Sequence, residues 1–154
     1  MDPVVWTPDP GAELLRRRRA ELRGSIDALE RALAAPAPGR VAAWAERVRR
    51  AAVELSADLR AHVEITEGPD GLHGAVLATA PRLGNAVRRL GREHVQLRAH
   101  VDNLLARLDR LAGEDGVEAA RTRGTLLLDQ LIRHRQRGAD LVFEAYHADI
   151  GGEA

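Results

Sequence analysis

Three histidines stand where leucine or valine would be expected. In "RRLGREHVQLRAHVDNLL" (88–105), a seven-residue repeat puts Leu90, Leu97, Val101, Leu104 and Leu108 on one apolar seam, and His94 belongs to that same seam. A second segment runs Val48, Ala52, Leu55, Leu59, His62, Thr66, and another runs Leu127, Leu131, His134, Gly138, Leu141. Each is apolar except at one interior place. A first segment, Leu15, Arg19, Leu22, Ile26, Leu29, Leu33, is broken in the same way by Arg19. Burying an imidazole without a partner costs on the order of 1–3 kcal/mol. Three of them at one depth are tolerated through mutual bonding, a bound ligand or a metal ion. Neutral imidazoles converging between helices are a common way to hold iron, zinc or manganese.

The elements that must position them follow from the spacing. Every step along the four seams is three or four residues, the pattern of packed helices. Turn signals separate them: "TPDPG" (7–11), "AAPAPGR" (34–40), "EGPDGLHG" (67–74), "APRLG" (80–84) and "AGEDG" (112–116). No stretch alternates like a strand. Short links between long helices predict an all-α, up-down-up-down four-helix bundle, one domain over 1–154, with an N-terminal arm (1–11) and a C-terminal tail (149–154). His94 lies 19 residues before Gly113 and His134 lies 21 after it. At about 1.5 Å per residue the two fall within about 3 Å of the same level. The same reckoning around the other turns brings His62 and Arg19 into that layer.

A metal site also needs carboxylates. The helix position that shares a face with a ligand histidine is four residues on, and here it holds Thr66 and Gly138. The nearest acids are Glu67, at the end of its helix, and Asp140, which needs a local bulge to point inward. Asp58, four residues before His62, is placed to bond that imidazole. Glu93 flanks His94 and can face either inward or outward. The expected ligands are therefore His62, Glu67, His94, His134 and Asp140, with Arg19, Asp58 and Glu93 around them.

Composition narrows the alternatives. Aromatics are only 3%, which favours a Leu-, Val- and Ala-based helical core. Lys+Arg and Asp+Glu both number 23, so there is no basic excess of the kind that nucleic-acid or membrane binding needs. The run "RRRR" (16–19) is read as a solvated helix face. With no cysteine, thiolate metal sites and disulfides are excluded. No apolar run is long enough to span a bilayer, and "MDPVVWTPDPG" is not a signal peptide, so a cytoplasmic location is expected. His73 is expected to be solvated in its loop, from which it could also cap the site, and His100 is expected to be exposed. Asp140, Glu144 and His147 are expected to form a surface stripe. Phe143 and Tyr146 are expected to pack the bundle end, and Trp6 and Trp44 to cover the helices.

The pieces "LRAHVEITEGPDGL" (59–72), "LGREHVQL" (90–97) and "LIRHRQRGADLVFEAYHADIGG" (131–152) resemble the hemerythrin-like, HHE cation-binding superfamily. More narrowly, "TEGPDGL", "APRL", "REH" and "DLVFEAY…DIGG" resemble a branch seen in high-GC Gram-positive bacteria. The resemblance implies a four-helix bundle with a non-heme iron site, usually dinuclear, that binds O₂ or NO, reacts with peroxide or senses redox state. It assigns His62, His94 and His134 as ligands, with Glu67 and Asp140 nearest the family's carboxylates. The ligand set is incomplete. Arg19 stands where the family's first-helix histidine would be, and Gln96 and Arg98 stand near its second third-helix histidine.

Two functions follow. The first is a metal-binding protein with iron, or else zinc or manganese, whose ligand is a small diatomic molecule or peroxide. Its partners include neither nucleic acid nor membrane, and homodimerisation is left open. The second is a metal-free bundle, an interaction or small-ligand module, in which Arg19 bonds Glu67 or Glu93.

Overall fold

The computed structural model describes residues 10–111 and 113–148, and every element in them is helical. Four long helices carry the chain: α1 (Pro10–Ala34), α2 (Val41–Glu67), α4 (Gly84–Asp109) and α5 (Gly113–Phe143). A short helix, α3 (Leu72–Thr79), and a 3-10 turn (Pro81–Leu83) lie between α2 and α4, and a π-helical turn (Glu144–Ala148) follows α5. Helix α1 packs on α2 and α5, and α4 packs on the same two. The expected arm is shorter at its inner end, because Pro10 and Gly11 already belong to α1. Proline fits there, since the first helical turn has no intrahelical use for its N–H. Trp6, the rest of the arm and the tail lie outside the described residues. No described helix is long and apolar enough to cross a membrane.

The turns are specified locally. Between α1 and α2, Arg40 N–H donates to the Ala37 carbonyl at 2.9 Å across Pro38-Gly39. Gly39 has φ +74°, so this is the turn that takes proline second and glycine third. Helix α2 ends in "GPDG", where the chain doubles back tightly. A Cβ on Gly71 would lie 2.7 Å from the carbonyl oxygens of Gly68 and Thr66, so only glycine allows this return. It swings α3 over the end of α2.

The core is in two pieces. The larger holds Leu22, Leu29, Leu55, Leu59, Leu97, Leu104, Leu127 and Leu131 with their neighbours from all four long helices. The smaller joins Val76, Ala80, Leu83, Val87, Leu90, Leu141 and Ala145. The break falls at the same level in each helix: after Leu59 in α2, between Leu90 and Leu97 in α4, and between Leu131 and Leu141 in α5. His62, His94 and His134 occupy those breaks. Among the described residues, helix α1 contributes none to the smaller core.

Close approach of α1 and α5 depends on Gly124, where an added Cβ would lie 2.5 Å from Leu33 Cδ1. Leu33 is buried and cannot swing clear. Gly124→Val is expected to lower unfolding stability by about 1–3 kcal/mol through overpacking. Gly24→Ala, on the exposed face of α1 with nothing within 4 Å, is expected to raise it by about 0.5–1 kcal/mol. Urea denaturation of the two variants checks the pair, and equal effects would contradict the packing.

Candidate metal centre

Each histidine arrives by helical periodicity, and the three converge. Ring centroids of His62 and His94 are 5.2 Å apart, those of His62 and His134 5.7 Å, and those of His94 and His134 4.7 Å. The rings meet edge-on, so their nitrogens can face a common point. One ring nitrogen from each lies within 4.8 Å of the other two, and all three residues are buried. Among the described residues this is the one group of histidines and acids with metal-holding geometry, and it could hold a metal ion. His62 Nδ1 and both ring nitrogens of His94 have no hydrogen-bond partner. A neutral imidazole has one donor and one lone pair, so these buried atoms are short of partners that an ion would supply.

His134 is held from behind. Its Nδ1 lies 2.9 Å from Glu93 Oε1. Glu93 is also paired with Arg137, Nε to Oε2 at 2.7 Å, and more loosely with Arg89 at 3.5 Å. Burial pushes the Glu93 carboxyl up, but hydrogen bonds from Arg137 and His134 outweigh it and hold the carboxyl below its ordinary range. An ionised carboxylate only accepts, so His134 Nδ1 carries the proton and its Nε2 lone pair is left for the shared point. A carboxylate behind an imidazole fixes its tautomer and raises its basicity as a ligand.

Glu67 approaches from the last residue of α2. Its Oε2 is 3.5 Å from His94 Nδ1, an ion-pair distance without hydrogen-bond geometry. Burial raises its pKa, and the field of Arg98 opposes the rise. Its other oxygen lies over Gly91, where an added Cβ would be only 2.8 Å away. The bare backbone at Gly91 therefore gives Glu67 its path across α4.

The remaining expected residues divide. Asp140 is exposed, accepts a hydrogen bond from Gln136 at 3.0 Å and is not part of the cluster. Helix α5 stays α-helical through Gly138 and Asp140, so the bulge that would turn this carboxylate inward does not occur. Asp58 does not orient His62; it accepts a hydrogen bond from Ser25 of α1. Asp58 is taken up by the neighbouring helix, because Ser25 faces it across the α1–α2 contact. Thr66 donates back to the His62 carbonyl at 2.8 Å, so its hydroxyl is spent on its own helix. Arg19 lies at the edge of the histidine layer and its charge disfavours protonation of His62. The acids expected to bond Arg19 have other partners: His134, Arg89 and Arg137 for Glu93, and His94 for Glu67.

His73 is the residue that sequence reasoning misplaced. It is buried, not solvated, and its ring stacks on His94 at 5.7 Å with the planes 3° apart. It shares the inner face of α3 with buried Val76 and Ala80, a three-and-four spacing that could have revealed it. Arg137 also escaped notice, because its pairing with Glu93 spans two helices. His100 is half-buried, not exposed. Phe143 is exposed beside His147 instead of packing inward, whereas Tyr146 does pack on the smaller core. Trp44 is buried, with the Arg121 guanidinium 5.4 Å from its ring centre.

The chain matches no family model, no curated protein and no solved structure.

All four histidines of the site resist protonation. Burial is the largest cause throughout. It lowers His62 to about 4, with His134 and Arg19 adding to the effect, and His94 to about 2, with His134 and His62 adding. His73 and His134 move in the same direction, the latter partly restored by Glu93. Above about pH 6.5 both folded and unfolded chains are neutral here. Between 6.5 and 4 the unfolded chain binds protons that the folded chain refuses, so stability falls as pH falls. His62 alone contributes on the order of 1 kcal/mol per pH unit in the middle of that window. Chemical denaturation of the metal-free protein is expected to show this decline from pH 7 to 4.5, with a shallower slope in His94→Leu. A flat profile in the wild-type chain would contradict the buried, neutral assignment.

Proposed function

We propose that the protein is a metal-binding, hemerythrin-like bundle with up-down-up-down helices, working in the cytoplasm. His62, His94 and His134 are its ligands and Glu67 is the nearest anionic donor. The observation that carries this reading is the convergence of three buried imidazoles from three helices with ring nitrogens lacking partners. Three nitrogens and one carboxylate suit a single iron, zinc or manganese ion, with iron the first choice. A second iron lacks bridging acids, because Asp140 faces outward and Glu93 is engaged behind His134.

Each residue has a separable task. The three imidazoles bind, and their neutral state at pH 7 leaves the lone pairs available. Glu93, clamped by Arg137, holds the His134 proton on Nδ1. Glu67 places a negative charge beside His94. His73 stacks on His94 and fixes the plane of that ring. Leu22, Leu90 and Leu141 limit water beside the cluster. Iron held there would supply binding of O₂, NO or peroxide at the positions the protein leaves open.

Elemental analysis with a visible absorption spectrum, on protein purified without a histidine tag, tests the reading. About one metal per chain is expected. Glu93→Gln is expected to weaken metal affinity by about 10–100-fold, the usual penalty for losing the group behind a ligand histidine. His94→Ala is expected to lose metal altogether. Gly138→Glu is expected to retain metal more tightly, since position 138 shares a face with His134 and a Cβ there meets nothing within 4 Å. Equal metal content in wild type and His94→Ala would contradict the proposal.

A further inference from the structure

The histidine layer opens into a cavity of about 390 Å³, within the range of small-molecule sites. Its mouth is lined by Arg16, Arg19 and Arg23 of α1 and by Arg135 of α5. The α1 arginines are spaced three and four apart, so they share one helix face. The run "RRRR" is thus not simply solvated, because two of its members look into the cavity. Leu72, Leu90 and Leu141 are among the walls, and among the described residues no aspartate or glutamate lines the cavity.

Among the described residues, the ion pairs of α1 and α5 arginines involve Arg18, Arg121 and Arg137, not these four. Burial and the fields of Arg23 and Arg19 disfavour the charge on Arg135, with Asp27 the one acid acting in its favour. Holding like charges around a concave, leucine-walled space costs stability unless an anion enters it. The inner surface is different in kind, because the imidazoles there are neutral. The polarity therefore runs from cationic at the mouth to neutral and apolar inside.

We propose that this cavity binds a small organic monocarboxylate, its head group on the arginine rim and its hydrocarbon body against the leucine walls. Planar guanidinium forks match a carboxylate in two-point hydrogen bonding, and arginine is the basic residue suited to it. The head-group contacts are arginines and need no metal, although the inner wall of the cavity is the histidine cluster itself.

Isothermal titration of the full-length protein with octanoate tests the idea. Octanoate is expected to bind more tightly than about 1 mM. Octanol, with the same body and no charge, and inorganic phosphate, with charge and no body, are each expected to bind at least about tenfold more weakly. The double variant Arg19→Gln/Arg135→Gln is expected to weaken octanoate by about tenfold or more while keeping the wild-type circular dichroism spectrum. Protein stripped of metal by chelation and dialysed is expected to bind octanoate within about twofold of the protein as purified. Octanol or phosphate matching octanoate would overturn the proposal, as would unchanged binding in the arginine variant. Loss of octanoate binding in the stripped protein would overturn it too, by moving the carboxylate from the rim to the metal centre.

Discussion

The structure depends on one polar layer that divides its apolar core. Leucine, valine and alanine fill the bundle on both sides of His62, His94 and His134, and at their level the two cores are separate. Unpartnered buried polar groups cost about 1–3 kcal/mol each, against a net stability of about 5–15 kcal/mol for an ordinary domain. Burying several ring nitrogens in that condition is a large sacrifice. The chain makes it while providing every means of keeping the rings neutral and oriented: low exposure, mutual edge-on contact, a carboxylate behind one ring and a second imidazole flat against another.

The two nearby carboxylates illustrate how position sets role. Glu93 and Glu67 both lie within reach of a histidine, yet their own pKa values move in opposite directions. Glu93 is enclosed by Arg137, Arg89 and His134, stays ionised and acts through the ring it holds. Glu67 sits at a helix end over Gly91 and beside His94, and burial raises its pKa against the field of Arg98. It can move, gain a proton or approach an ion. Gly138 marks a third place where a carboxylate would fit and none stands.

Helical periodicity made much of this legible before any coordinates. A seam of threes and fours identifies which residues face inward, and a fixed rise per residue places His62, His94 and His134 at one depth. The four long helices and their turns follow from the same pattern and from "AAPAPGR", "EGPDG" and "APRLG". What escaped were directions and crossings. Asp58 shares a helix face with His62, but Ser25 of the neighbouring helix competes for it, a contact that one helix's spacing does not reveal. Asp140 would need an irregularity that appears only later, in the π turn beginning at Glu144. His73 depends on how sharply "GPDG" reverses the chain, which composition alone does not give. The pairing of Arg137 with Glu93 and the arginine rim both join helices distant in sequence.

The most direct test of the central claim is long-range ¹H–¹⁵N NMR of the imidazole side chains in the full-length, metal-free protein, followed by addition of zinc. The account predicts that His62 and His94 are neutral at pH 7 and still neutral at pH 5, and that His134 is neutral at pH 7 with its proton on Nδ1. It also predicts that one equivalent of zinc shifts the nitrogens of all three together. Rings that titrate independently near pH 6.5, or zinc that perturbs one ring or none, would contradict it.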